Sequence, residues 1–298
     1  INPTSSSTWN GSLVGTSYHA GSGTENDPYK IFSPKEFIYF INQINNGENY
    51  ENKYFDITSN LNFGNYNINS IGVTIENSFK GILNGKGHYL YNFNVLQSSN
   101  DLFNGLFGYV DGTIKNIGFR NAKFNYSSTI TDKDVYVGLI VGQLNGYMEN
   151  VYAYGNLTSK ATRTIYSGGL VGQNNGNIVN SYTNVSVNST SVNMMSYAGG
   201  LVGSNNGNIN GWFAYGNVLS KGYVDTFSYA SGLVCILENN GKVTNSFRYI
   251  DQIITKFNSV STSYNDIGDL ESLDNIIEYC KNNWDSNIWS YKKSLPIF

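Results

Sequence analysis

Charge is what this chain has least of: 13% of its residues are Asp, Glu, Lys or Arg, and the net charge is −3. No broad positive field exists to draw in nucleic acid or an anionic membrane, so neither is expected as a partner. Proline is scarce at 4, and histidine and cysteine at 2 each. Cys235 and Cys280 are too few for a disulfide framework. They read as two buried thiols, with a single bridge between them left open. No apolar run reaches the roughly 18 residues of a membrane span. Ile1 to Gly15 lacks the charged-then-apolar pattern of a signal peptide and reads as a processed or truncated terminus.

What is abundant is tyrosine, at 24, and glycine, at 32. Disordered chains of low hydrophobicity are rich in charge and poor in aromatics; here the balance is reversed, so the chain should bury a core. Many Gly and Asn beside Tyr, Val and Ile point to short strands separated by tight turns.

A repeat organises these residues. Asn104-Gly-Leu-Phe-Gly108, Gly138-Leu-Ile-Val-Gly142, Gly168-Gly-Leu-Val-Gly172, Gly199-Gly-Leu-Val-Gly203 and Ser231-Gly-Leu-Val-Cys235 align, with Leu106, Ile140, Leu170, Leu201 and Leu233 as anchors, at steps of 34, 30, 31 and 32. Gly112, Gly146, Gly176 and Gly207 follow at one fixed offset, and Gly241 after a two-residue insertion. Asp111, Asn145, Asn175, Asn206 and Asn240 precede them, so a tight turn with positive φ is expected at each. Beyond the turn stand the apolar anchors Ile114, Met148, Ile178, Ile209 and Val243, then Asn116, Asn150, Asn180 and Asn245, with Gly211 as the exception. An aromatic often comes next: Tyr152, Tyr182, Phe213 and Phe247. The segment Gly81-Ile-Leu-Asn-Gly85 through Leu90-Tyr-Asn92 reads as one more coil at the same offsets. Tyr54-Phe-Asp-Ile-Thr58 and Leu61-Asn-Phe63 read as an opening coil.

A unit of this length cannot bury its own apolar face and must stack on neighbours. We therefore expect an all-β fold, a parallel, right-handed β-helix of about six coils spaced ~4.8 Å apart, with stacked Asn side chains hydrogen-bonding along the axis. Asn-Gly between apolar runs is also a hairpin signal, so an antiparallel hairpin per repeat stays open. Ser33-Pro-Lys-Glu36 opens a helix over about 34–46 with Phe37, Phe40, Ile41 and Ile44 on one face, stopped by Asn46-Gly47. Ser272 opens a second over about 272–282, with Leu273, Ile276, Ile277 and Cys280 on one face, before a terminal aromatic strand. Both helices are expected to plug the ends of the core, short capping helices at both ends of one domain over 21–298. Residues 1–20 form an extension, and the repeats run over about 78–250.

Gly168-Gly-Leu-Val-Gly172 with Asn175-Gly-Asn-Ile-Val-Asn180, its copy at 199–209, and Gly105-Leu-Phe-Gly108 with Gly112-Thr-Ile-Lys-Asn116 resemble the GLUG motif repeats of bacterial surface proteins. So do the lead-in Gly21-Ser-Gly-Thr-Glu-Asn-Asp-Pro-Tyr29 and Phe79-Lys-Gly-Ile-Leu-Asn-Gly-Lys-Gly-His88. The resemblance covers roughly 21–298. It implies a β-helix in a large bacterial adhesin or in the non-catalytic part of a secreted immunoglobulin A peptidase, extracellular or attached to the cell surface, beside other domains. Gly211 and Cys235 depart from the pattern and put the regularity of the late coils in doubt.

No catalytic site emerges. Glycoside hydrolysis needs two carboxylates about the bond, and elimination from a uronate needs a base with a neutralising cation. Asp132 and Asp134 fall in a polar stretch, Glu149 and Glu238 stand alone, and Arg120, Arg163 and Arg248 are the only arginines. His19 and His88 are far apart, and no metal or cofactor motif appears. The expectation is a non-enzymatic module that binds a host glycan or an extracellular protein, or serves as a stalk. The alternatives are a substrate-positioning region of a secreted peptidase and, more distantly, a carbohydrate-active β-helix enzyme. Candidate ligand contacts are Tyr136, Tyr166, Tyr197 and Tyr229, each four residues before an anchor, with Tyr154 and Tyr215. Alternation would put the first four on the anchor's side of the strand, and the sequence leaves core stack and exposed strip both open. The joining segments 158–165, 186–196 and 219–228 read as loops that could carry binding.

Overall fold

Each repeat lays three strands along three walls, and every repeat pairs in parallel with the one before it. The computed structural model describes residues 7–97, 102–261, 269–291 and 295–297. The first wall stacks Phe103–Asn104, Val135–Gly138, Ile165–Gly168, Ser196–Gly199 and Ser228–Ser231. The second stacks Phe107–Val110, Val141–Leu144, Val171–Asn174, Val202–Asn205 and Val234–Leu237. The third, broad wall has 15 strands, among them Thr113–Ser128, Tyr147–Ala161, Asn177–Ser191 and Asn208–Ala214. This is the expected parallel β-solenoid of about six turns, and the hairpin alternative falls. The antiparallel strand pair among the described residues is Ile254–Lys256 with Ser259–Ser261, outside the repeats.

The anchors explain the stacking. Leu106, Ile140, Leu170, Leu201 and Leu233 are all fully buried, as are Ile114, Met148 and Ile178. One continuous cluster joins them from Trp9 to Val234. Trp9 lies in the residues read as an extension; its backbone N–H bonds the Asn62 carbonyl (2.8 Å), so this segment is part of the first coil.

The turn glycines are needed for a reason other than the expected one. None of Gly112, Gly146, Gly176 or Gly207 has positive φ. Instead a Cβ on Gly146 would meet the Gly112 carbonyl oxygen at 1.9 Å, and one on Gly176 or Gly207 would meet the preceding turn glycine's oxygen at 2.1 Å. Close approach between coils, not turn conformation, demands glycine. The left-handed residues are Asn116, Asn150, Asn180 and Asn245, with φ of 47–53°. Gly211, at φ 74°, holds the same conformation where the Asn180 side chain leaves little room: its absent Cβ would sit 2.6 Å from Asn180 Oδ1, with Trp284 Nε1 in ordinary contact at 3.4 Å. The Asn column bonds in part. Asn150 Nδ2 donates to Asn116 Oδ1 (2.9 Å), while the Asn150 oxygen accepts from Trp289 Nε1 (3.1 Å).

The upstream coil has a different register from the one expected. Leu83 pairs with Ile114 and Leu90 with Phe119, so Gly81 stands where Gly112 stands. Asn92 belongs to a second left-handed column with Asn65 and Asn121, and Asn121 Nδ2 donates to both their oxygens.

Much of the segments 158–165, 186–196 and 219–228 is strand, continuing to Ala161, Ser191 and Lys221. Ser159, Ser189, Ser196 and Ser220 point inward and form a buried seam. Ser167 Oγ lies 2.7 Å from Ser159 Oγ and 2.8 Å from Ser189 Oγ, and Ser196 and Ser220 continue the chain of hydroxyls. Each hydroxyl is both donor and acceptor, so the seam satisfies itself without water.

The helices occupy different places. Helix α1, Pro34–Asn45, buries Phe37, Phe40, Ile41 and Ile44 in the main core at the first coil, and Glu36 accepts from the Ser33 N–H (3.1 Å). Helix α2, Leu273–Asn283, carries the expected Ser272 cap but does not lie over the open core. Its buried Ile276 and Cys280 join a separate cluster on the flank of the broad wall, with Tyr152, Tyr182, Phe213, Trp284 and Trp289. Beyond the last repeat, the buried Gln252 closes the core by donating to the Gly216 (2.6 Å) and Gly232 (3.0 Å) carbonyls. Cys235 and Cys280 are not joined in a disulfide; Cys280 is buried and Cys235 only partly so, its thiol donating to the Tyr229 carbonyl (3.3 Å).

Candidate binding face

Two aromatic ladders run along the rod, because equivalent residues of successive coils are held one strand spacing apart. The first is built by Tyr136, Tyr166, Tyr197 and Tyr229 on the first wall. Their register is direct: Tyr136 pairs with Tyr166, Tyr166 with Tyr197, and Tyr197 with Tyr229. The rings stack at 4.7, 4.7 and 4.6 Å, with interplanar angles of 9, 6 and 16°. Phe103 extends the stack from Tyr136 at 4.9 Å. These rings belong to neither buried cluster. Tyr136 and Tyr166 are half-buried, Tyr197 is 9% exposed and Tyr229 40%.

Tyr136, Tyr166 and Tyr229 therefore face outward, away from the anchors, contrary to the alternation argument, while Tyr197 is buried within the stack and its hydroxyl donates to Met195 Sδ (2.9 Å). The sharp corner between the first two walls lies between Tyr166 and Leu170, so period-two counting does not carry across it. The tight stacking has a chemical consequence. Ring faces are covered by their neighbours, leaving edges and hydroxyls to meet a ligand, except at the Tyr229 end. Burial raises the Tyr136, Tyr166 and Tyr197 phenol pKa values, and Asp134 and Glu238 add to the effect; Tyr197 is pushed up to about 12. The phenols stay neutral hydrogen-bonding groups at physiological pH.

The second ladder is sealed. Tyr152 stacks on Tyr182 (5.5 Å), Tyr182 on Phe213 (4.6 Å) and Phe213 on Trp284 (5.8 Å), while Trp289 lies 6.2 and 6.0 Å from Tyr152 and Tyr182. Arg120 Nε donates to Tyr152 Oη (2.6 Å) and the guanidinium lies over the Tyr89 ring at 3.9 Å. Tyr154 and Tyr215 belong to this side, not to the open ladder. The Tyr154 and Tyr182 hydroxyls are 3.0 Å apart, and Tyr215 stacks on Tyr249 at 4.3 Å.

Beside the open ladder the second wall presents amides. Gln143 Nε2 donates to Gln173 Oε1 (2.6 Å). In the turn column, Asn145 Nδ2 donates to Asp111 Oδ1 (2.7 Å) and Asn175 Nδ2 to Asn145 Oδ1 (3.0 Å). The next members are Asn206 and Glu238, whose N–H groups bond the carbonyls of Asn174 (2.7 Å) and Asn205 (2.8 Å) in the same manner. Glu238, not Asn240, therefore fills the turn column in the fifth repeat, and the inserted Asn239-Asn240 follows it. A cleft of about 330 Å³ opens here, lined by Gln173, Asn175, Asn206, Glu238, Asn239 and Asn240.

The groups weighed for catalysis are dispersed. Arg163 Nε donates to Asp134 Oδ1 (2.8 Å), Arg248 is buried against the last corner, and His88 Nδ1 lies 3.2 Å from Asn60 Oδ1. Among the described residues no group of three or more His, Cys, Asp or Glu could hold a metal ion.

No protein-family model matches this sequence. A 156-residue stretch, 48% of the chain, is 32% identical to part of halomucin from Haloquadratum walsbyi (strain DSM 16790 / HBSQ001). The match spans 2% of that protein's length. Among solved structures, the chain is similar to a Bacteroides ovatus protein named as a candidate immunoglobulin A1 protease. The TM-score is 0.65 at 19% identity, over 94% of this chain and 95% of that one. At that identity the likeness is one of fold. No helix among the described residues is long and apolar enough to cross a membrane.

Proposed function

We propose that this chain is a non-catalytic, extracellular or surface-displayed segment of a larger protein, of the GLUG repeat type, which contacts a host glycan or an extracellular protein through the Tyr136–Tyr229 wall. One observation carries the reading. Of two aromatic ladders, the C-terminal tail seals one, and the other leaves Tyr136 and Tyr166 half-buried and Tyr229 40% exposed, with only Tyr197 buried in the stack. An aromatic strip with hydroxyl tips suits a contact that is apolar in the middle and polar at its rim. The similarity to a stretch of a protein named as a mucin supports an extracellular setting. Low charge and the dispersal of Asp132, Asp134, Glu149 and Glu238 favour binding over chemistry.

A second reading is favoured by the fold likeness over 94% of the chain to a protein named as a candidate immunoglobulin A1 protease. In that reading the rod positions the substrate for a catalytic domain elsewhere in the polypeptide. Both readings use the same face. Binding to a glycan array and to immobilised immunoglobulin A1, with wild type and the Tyr166→Ala/Tyr197→Ala double variant, tests them. Loss of binding in the variant, with unchanged circular dichroism, is the expected result. Unchanged binding removes the tyrosine wall as the contact, and no binding to any probe leaves only a stalk.

A further inference from the structure

The turn column shows a break that the repeat does not require. Asp111, Asn145 and Asn175 hydrogen-bond in sequence, with Ser78 Oγ holding the far end of Asp111 at 2.6 Å. Asn206 is the next member, yet its side chain donates to no neighbour, and Asn175 Oδ1 accepts from none among the described residues. The Gln143–Gln173 pair ends in the same way, and the Gln173 Nε2 donors have no partner among the described residues. The opposite side is built by the two-residue insertion before Gly241, one of two places where the fifth repeat gains length; the other lies between Arg248 and Ile254. This turn is fixed rather than loose: Gly241 N–H bonds the Glu238 carbonyl (2.9 Å), and Ser204 Oγ donates to Glu238 Oε1 (3.1 Å).

From the convergence of these free amides we propose that the cleft between Asn175, Asn206 and Glu238 binds one neutral sugar residue of an extracellular glycan. The proposal rests on reading the module as a glycan binder. An amide presents a donor nitrogen and an acceptor oxygen side by side on one carbon, so paired amides can match two hydroxyls on neighbouring ring carbons. Glu238 keeps one carboxylate oxygen free to accept a third hydroxyl. The lining has no Lys, Arg or His, so nothing compensates the charge of a sialic acid, uronate or sulfate, and Glu238 repels it. A volume of about 330 Å³ is at the small end of ligand sites and suits one ring rather than a chain lying inside. No open aromatic face lies under the cleft, so binding relies on hydrogen bonds and is weak, with Kd about 1 mM per site.

The test is saturation-transfer and chemical-shift NMR on the full chain. The neutral probes are methyl galactoside, methyl mannoside and methyl N-acetylglucosaminide; the acidic ones are N-acetylneuraminic acid and methyl glucuronide. The expected result is saturable binding of at least one neutral glycoside and none of the acidic ones. Asn206→Ala and Glu238→Ala should each weaken it about tenfold or more. Both cleft side chains are solvent-facing, so the variants should fold, which their spectra will report. Preference for the acidic sugars overturns the proposal, as does binding indifferent to both cleft variants, or no binding at all. If array binding depends on Tyr166 and Tyr197 but not on Asn206, the tyrosine wall stands and the cleft falls.

Discussion

Replacing Trp289 with Ala should detach the C-terminal tail while leaving the solenoid standing. Trp289 is 2% exposed, lies 6.2 and 6.0 Å from the Tyr152 and Tyr182 rings and 4.9 Å from Trp284, and donates its indole N–H to Asn150 Oδ1 at 3.1 Å. Truncating a buried Trp to Ala costs about 3–5 kcal/mol, from lost transfer energy and the remaining cavity. The loss falls on the flank cluster, which shares no member with the main core. In a parent chain with Trp9 and Trp212 of the main core replaced by Phe, Trp284 reports the flank in the variant, and strand circular dichroism reports the solenoid. With m of about 2 kcal/mol/M, the Trp284 fluorescence transition in urea should move down by about 1.5–2.5 M. The circular dichroism transition should move by less than about 0.5 M. Two transitions displaced together by the full amount would refute the idea that tail and solenoid are separable units. An unmoved fluorescence transition would refute the packing argument.

Two further outcomes follow from the geometry. Gly176→Ala places a Cβ 2.1 Å from the Gly146 carbonyl oxygen, so it should destabilise by about 1–3 kcal/mol, read as a lower thermal midpoint; an unchanged midpoint would show that the coils can spread. Tyr50 and Tyr197 have folded pKa values pushed up to about 12, chiefly by burial. A phenol whose folded pKa is raised stabilises the fold fully below its unfolded pKa near 10, and the stabilisation is lost as pH rises toward 12. Absorbance at 295 nm should therefore show a delayed tyrosinate step that coincides with loss of circular dichroism; ionisation of all tyrosines near pH 10 in the folded protein would contradict the burial.

The columns were legible because one residue type repeats where one job repeats. Leu170 and its equivalents are fully buried in every coil, and their spacing pointed to a solenoid, although it left one hairpin per repeat open, which the parallel pairing excludes. Three features were not legible, each for a physical reason. The direction of Tyr166 depends on a corner that resets strand alternation. The serine seam was hidden because Ser189 and Ser196 face inward on strands whose polarity reads as loop, their cost of burial offset by mutual hydrogen bonds. The flank position of α2 depends on partners far away along the chain, such as Trp289 with Asn150, which no local pattern encodes. The cleft was half legible: the insertion marked the place, but the free amides of Gln173 and Asn206 show only once the coils are stacked.

The central claim is that one ladder is a contact face and the other a structural seal. Hydroxyl-radical footprinting of the tyrosines, read by mass spectrometry with and without the glycan or protein the chain captures, tests it most directly. Tyr136, Tyr166 and Tyr229 should be modified in the free protein and protected in the complex, with Tyr152 and Tyr182 unreactive in both. Tyr136, Tyr166 and Tyr229 as reactive in the complex as in the free chain, with protection elsewhere on the rod, would contradict it.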